Sequence, residues 1–215
     1  RRMLNRGPWQ ESDRVGASLM VWTRDSLMFD RPVVHSETDA PAIHFGPDEP
    51  EWGSAALVVA GQVYMYACEN KQLNWPCRIA RVPLSDPMDR SQWQFFAGEG
   101  RWSSNWRDAR PVLSGAREGV FSVHWSPFFR KFMAFSSRPI DARIAIRFAD
   151  RPEGPWSDAG IDIDTLHSGP GWFWTTWGLG HPELALDSGR TEHVSYWRAS
   201  GAGQIYLMKI RFAQK

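Results

Sequence analysis

From residue 51 onward, short runs of β-branched and aromatic residues alternate with Gly, Pro, Asn and Asp, and no segment carries the apolar period of a long helix. The pattern predicts an all-β chain. One run opens at Glu51-Trp52-Gly53-Ser54, continues through Ala55 to Ala60, turns at Gly61-Gln62 and proceeds as Val63 to Tyr66. It returns as Arg78 to Val82 and closes as Trp93 to Phe96. A second unit opens at Glu118-Gly119-Val120, runs Phe121 to Trp125, continues as Lys131 to Phe135, returns as Arg143 to Phe148 and closes with a turn over Asp150 to Trp156. A third opens at His181-Pro182-Glu183, runs Leu184 to Leu186, turns at Asp187-Ser188-Gly189, continues as His193 to Tyr196 and ends with Ile205 to Phe212.

The three opening glutamates stand 67 and 65 residues apart. A unit of strand, tight turn, strand, loop, strand, turn and strand at that period is the outline of a four-stranded antiparallel blade, and its repetition predicts a β-propeller. Strands that read apolar on both faces fit this, because each blade is covered by its neighbours. The expected organisation is an N-terminal segment, residues 1–50, forming a degenerate or partial blade, followed by blades over 51–117, 118–180 and 181–215. The third lacks a fourth strand, which Ser18 to Trp22 or Ser26 to Phe29 would supply on ring closure. A β-sandwich is the alternative architecture.

Charge narrows the class of partner. Twenty-five basic residues offset 24 acidic ones for a net charge of +1, and the basic residues form no run, which argues against nucleic acid as a partner. No apolar stretch is long enough to span a bilayer. Cys68 and Cys77 flank a polar segment between two strands; they either staple that loop as a disulfide, favouring an extracellular or periplasmic location, or stand as two reduced thiols.

In a propeller the first strand of each blade lines the axis, so equivalent positions converge on a central funnel. Glu51, Glu118 and Glu183 are therefore candidate catalytic groups. Glycosidic cleavage needs a protonated acid and an ionised partner, and mutual repulsion separates their roles. The chain holds 13 Trp, and an indole face stacks on the C–H face of a sugar ring. Trp172, Trp174 and Trp177, in a segment flanked by Gly171 and Gly178, are expected to form a stacking platform at the funnel mouth, with Trp52 as a second surface and His124 and His181 as polar contacts. His181 is also a candidate ligand for a calcium ion at the axis, although no cofactor is required by the chemistry.

Three passages resemble the five-bladed propeller glycoside hydrolases, and especially a related bacterial domain family of unknown function with endo-D-arabinanase members. They are Phe121-Ser122-Val123-His124-Trp125-Ser126-Pro127 running on to Ala134, the turn Arg147 to Ser157 containing Gly154-Pro155-Trp156-Ser157, and Gly180-His181-Pro182-Glu183 together with Gln204 to Met208. The resemblance implies a secreted, arabinanase-like enzyme that cleaves a polysaccharide or oligosaccharide with acidic residues from inner strands. Two other readings stay open: a non-catalytic glycan-binding propeller, and an assembly subunit that holds a protein partner.

Overall fold

The computed structural model describes residues 15–23, 25, 27–34, 42–69, 75–115, 120–138, 142–158, 160–165, 175–198 and 203–213, with 2–4 and 11–13 as backbone. Every strand pairing in it is antiparallel, and no α-helix occurs among the described residues. At the N-terminus β1 (Arg2–Leu4) pairs with β2 (Glu11–Asp13). The remaining strands form three larger sheets.

The first sheet contains β3 (Ala55–Val59), β4 (Gln62–Cys68), β5 (Cys77–Pro83), β6 (Gln94–Gly98) and β7 (Arg101–Ser103), in chain order. Its two tightest turns need left-handed backbone at adjacent residues. Ala60 and Gly61, at φ 48° and 75°, join β3 to β4, while Glu99 and Gly100, at φ 53° and 73°, join β6 to β7. Positive φ at both central positions gives a turn whose twist matches that of the flanking strands. The β7 strand makes this sheet five-stranded, one more than the repeat predicts.

The second sheet has β8 (Ser122–Ser126), β9 (Lys131–Ser137), β10 (Arg143–Ala149) and β11 (Ile161–Asp164), again in chain order. Here the predicted outline holds, with β11 pairing beyond the Asp150 to Trp156 turn. In β9 the residues alternate between two partners. Phe132 and Ala134 join the core shared with Tyr66, Ile79 and Ala55 of the first sheet, whereas Met133 and Phe135 join the core shared with Val194, Tyr196 and Phe212 of the third. Burial on both faces explains the continuous apolar run, and each large side chain among them, Phe132, Met133 and Phe135, contributes about 1.5–3 kcal/mol.

The third sheet consists of β12 (Thr175–Gly180), β13 (Thr191–Arg198) and β14 (Gln204–Arg211). It departs from the sequence expectation. The opening strand is Thr175–Gly180, ahead of His181, and His181 caps a 3₁₀ turn over Pro182–Leu184 where a strand was expected. The boundary expected between residues 180 and 181 therefore falls inside this sheet, between its first and second strands. Proline at the first turn position lacks the N–H that a strand ladder would use and suits the turn. The sheet has three strands; Ala17 and Val21 instead bridge to Phe45 and Asp30, and Ala17, Leu19 and Phe45 pack with Trp93 and Phe95 on the outer side of the first sheet. Among the described residues, 15–23 and 27–34 therefore add no fourth strand to the third sheet. Arg90 holds this cover, ion-paired with Glu49 and lying over the rings of Phe45 and Phe95.

The three sheets thus stack in chain order, with the second between the other two. In each, the first strand in sequence is an edge strand, and β8 lies beside both β3 and β12. The Tyr66 hydroxyl donates to the Pro152 carbonyl at 2.5 Å, and the Trp156 Nε1 donates to the same oxygen at 3.2 Å, tying the first sheet to the turn that ends β10.

Candidate functional site

The residues before β3 build a cleft. The backbone N–H groups of Gly53 and Ser54 both donate to the Tyr66 carbonyl at 2.9 Å, and the Cys68 N–H donates to Ser54 Oγ at 3.0 Å. This folds the segment back over β4 and leaves Glu51 exposed. Gly53 takes φ 120°, a conformation that side chains disfavour. Cys68 and Cys77 are register partners on β4 and β5 and form a disulfide. Trp75 stands two residues before Cys77, at φ 38°. The Phe121 N–H donates to the Ser54 carbonyl at 3.4 Å, which brings Val120 to the same place.

Together Glu51, Trp52, Ser54, Trp75, Cys68 and Val120 line a cleft of about 470 Å³. It offers a solvated carboxylate beside a half-buried indole. Trp52 differs from expectation: it is 7% exposed and packs on Phe95 at 5.2 Å, so it supplies the floor of the cleft and presents no stacking face. Trp75 was not singled out from the sequence. The signal was its position between the two cysteines, where a disulfide fixes a loop residue that would otherwise be free.

The expected convergence of three glutamates does not extend to Glu183. Glu51 stands four residues before the first strand of its sheet, and Glu118, outside the described residues, stands four before β8. The matching position before β12 is Gly171, also outside the described residues. Glu183 follows its strand instead. The chain passes along β8 from start to end as it leaves β12: Gly178 N–H donates to Ser137 Oγ at 2.8 Å, Gly180 N–H to Ser122 Oγ at 2.7 Å, and Gly189 lies against Ser126 and Pro127. Glu183 is thus carried toward the far end of β8, away from the Glu51 cleft.

There Glu183 Oε1 is 2.8 Å from His181 Nδ1, and His181 Nε2 is 2.7 Å from Ser195 Oγ. A hydrogen bond from its own backbone N–H, followed by the bond to His181, holds the Glu183 carboxyl below the usual carboxylate value. Both imidazole nitrogens of His181 thus lie within hydrogen-bond distance of a side-chain partner. Among the described residues no three His, Cys, Asp or Glu side chains gather into a metal site.

His124 is 8% exposed, stacked on Phe135 at 5.4 Å, with Nε2 3.5 Å from Glu192 Oε1. It belongs to the interior between the second and third sheets, unlike the surface contact expected of it. Trp172 and Trp174 lie outside the described residues. Trp177 is part of β12 at a bulge, with φ 55°, and packs on Trp197 at 5.7 Å on the outer face of the third sheet.

Fold and site together define an all-β protein of stacked antiparallel sheets with a carboxylate-indole cleft beside the edge strand of the first. The chain belongs to the family described as Domain of unknown function (DUF4185), which matches residues 31–173. No curated protein matches it. Among solved structures, a GH43 β-1,3-galactosidase is similar at a TM-score of 0.40 and 13% identity, over 72% of this chain and 32% of that one. The chain therefore spans about a third of that structure's length.

Proposed function

We propose that this protein is a carbohydrate-binding β-propeller segment in which the three sheets are consecutive blades and the cleft at Glu51 holds a saccharide unit. The observation that carries this reading is the pairing of an exposed carboxylate with the Trp75 indole in one cleft. An indole face covers the C–H surface of a pyranose or furanose, and a carboxylate accepts hydrogen bonds from adjacent hydroxyls. Edge strands β3, β8 and β12, each first in its sheet and adjacent in space, support the propeller arrangement.

Cleavage requires a second carboxylate, and Glu118 is the candidate because it shares the register of Glu51 ahead of its strand. Secretion or export to a periplasm goes with this reading, supported by the Cys68–Cys77 disulfide. The test is incubation with a panel of plant and bacterial polysaccharides that includes arabinan and arabinogalactan, scored for released oligosaccharides and for retention in affinity gels. Retention that weakens at least tenfold in Trp75→Ala and Glu51→Gln supports the cleft. Released products that vanish in Glu118→Gln make the protein a hydrolase, and retention without products makes it a binding module. Retention unchanged in both cleft variants, or no retention and no products, rejects the reading.

A further inference from the structure

The outer face of the third sheet carries a second arrangement that the cleft does not use. Ser195 Oγ lies 2.7 Å from His181 Nε2, and the opposite ring nitrogen, Nδ1, lies 2.8 Å from Glu183 Oε1. A hydroxyl, an imidazole and a carboxylate joined through the two different nitrogens of the ring form the geometry in which a base activates a nucleophile while a third group fixes the tautomer. The carboxylate accepts from Nδ1–H, which leaves Nε2 as the acceptor facing Ser195. The imidazole backbone is itself anchored, since the His181 N–H donates to the His193 carbonyl at 2.8 Å.

Toward Trp197 the surroundings of Ser195 are apolar, while in the other direction the same face carries His193 and its register partner Lys209. The register partners of Ser195 on either side are Leu179 of β12 and Leu207 of β14, which share its face. Two residues along the same face stands Trp197, paired with Ile205 and packed on Trp177. Leu207 is 59% exposed, Ile205 76% and Trp177 47%. A hydroxyl poised on a base within such a face would meet an acyl chain lying along it.

We propose that Glu183, His181 and Ser195 form a nucleophilic relay that accepts the acyl group of a carboxylic ester with an apolar acyl chain. Ser195 Oγ attacks the ester carbonyl carbon as its proton passes to His181 Nε2. The bond from that carbon to the alkoxy oxygen breaks, and the alcohol leaves with the proton from His181. Water then adds to the acyl-serine carbon, giving its proton to His181, and the carboxylic acid departs as Ser195 regains its hydrogen. Glu183 stays ionised and steadies the imidazolium throughout. This activity is independent of saccharide binding at the Glu51 cleft.

The test uses the full chain with p-nitrophenyl butyrate and with a fluorophosphonate probe, followed by mass mapping of the labelled peptide. The expected result is one label per chain on Ser195, with kcat/KM for the ester falling about 100-fold or more in Ser195→Ala and in His181→Ala. Circular dichroism melting is measured alongside both variants. Ser195→Cys provides a second check, with alkylation by iodoacetamide that slows when His181 is also replaced by Ala. Absence of label on the unaltered chain, labelling that persists in Ser195→Ala, or ester turnover indifferent to both substitutions overturns the proposal and leaves the three residues as a clamp holding the 3₁₀ turn to β13.

Discussion

The second and third sheets are built from similar residues but differ in how many faces they bury. In β9, every residue from Phe132 to Ser137 is buried, because odd and even positions enter different cores. In β14, residues on the inner face, such as Tyr206, Met208 and Ile210, pack against the second sheet, while Ile205 and Leu207 on the other face stay exposed. Equal hydrophobicity therefore has unequal consequences. The central strand β9 buries its apolar side chains on both faces, whereas β14 buries those of one face and leaves Ile205 and Leu207 exposed on the other.

Three substitutions test that contrast, in decreasing order of expected effect. Phe135→Ala removes a fully buried ring from the interface of the second and third sheets, where it stacks on His124. It should cost about 3–5 kcal/mol in a urea unfolding curve. A loss under about 1 kcal/mol would show that this interface does not carry the fold.

Tyr66→Phe removes the hydroxyl that ties the first sheet to Pro152, and should cost about 1 kcal/mol at neutral pH. It also has a pH signature. Burial, then the nearby Glu153 and Tyr64, raise the Tyr66 phenol well above its ordinary value. The folded chain therefore keeps this proton to higher pH than the unfolded chain does. The contribution is at full strength below about pH 10 and is lost as pH rises from there through the raised folded value. The Phe variant should lack that alkaline slope, and an identical slope in both proteins would assign it elsewhere.

Leu207→Ser, on the outer face of β14, should change stability by no more than about 0.5 kcal/mol. A larger loss in the same unfolding assay would mean that something covers this face in solution, and would erase the contrast between the two sheets.

Much of the strand order was legible because local rules suffice for it. The runs Lys131 to Phe135 and Arg143 to Phe148 and the return over Ile205 to Phe212 lie where patterning puts them, while the first tight turn falls at Ala60-Gly61, one residue earlier than the expected Gly61-Gln62. The opening of the third sheet was not legible. Thr175 to Gly180 combines two threonines, a tryptophan and two glycines, a composition that resembles a loop until β13 and the second sheet supply partners. Reading His181-Pro182-Glu183 as the strand start then gave Glu183 a false equivalence with Glu51 and Glu118. A glutamate spacing repeats in one dimension, but whether it places carboxylates together depends on which side of each strand they stand.

By itself, the sequence determined an all-β chain, its antiparallel hairpins and a loop bounded by two cysteines, because turn residues and strand alternation act over a few neighbouring positions. Only the tertiary structure decided that Trp52 and His124 are interior, that Trp75 lines the cleft, and that Ser195 meets His181 and Glu183. Those outcomes depend on the stacking of sheets and the pairing of strands far apart in the chain, and burial or proximity created by such contacts leaves no local mark on the residues that experience it.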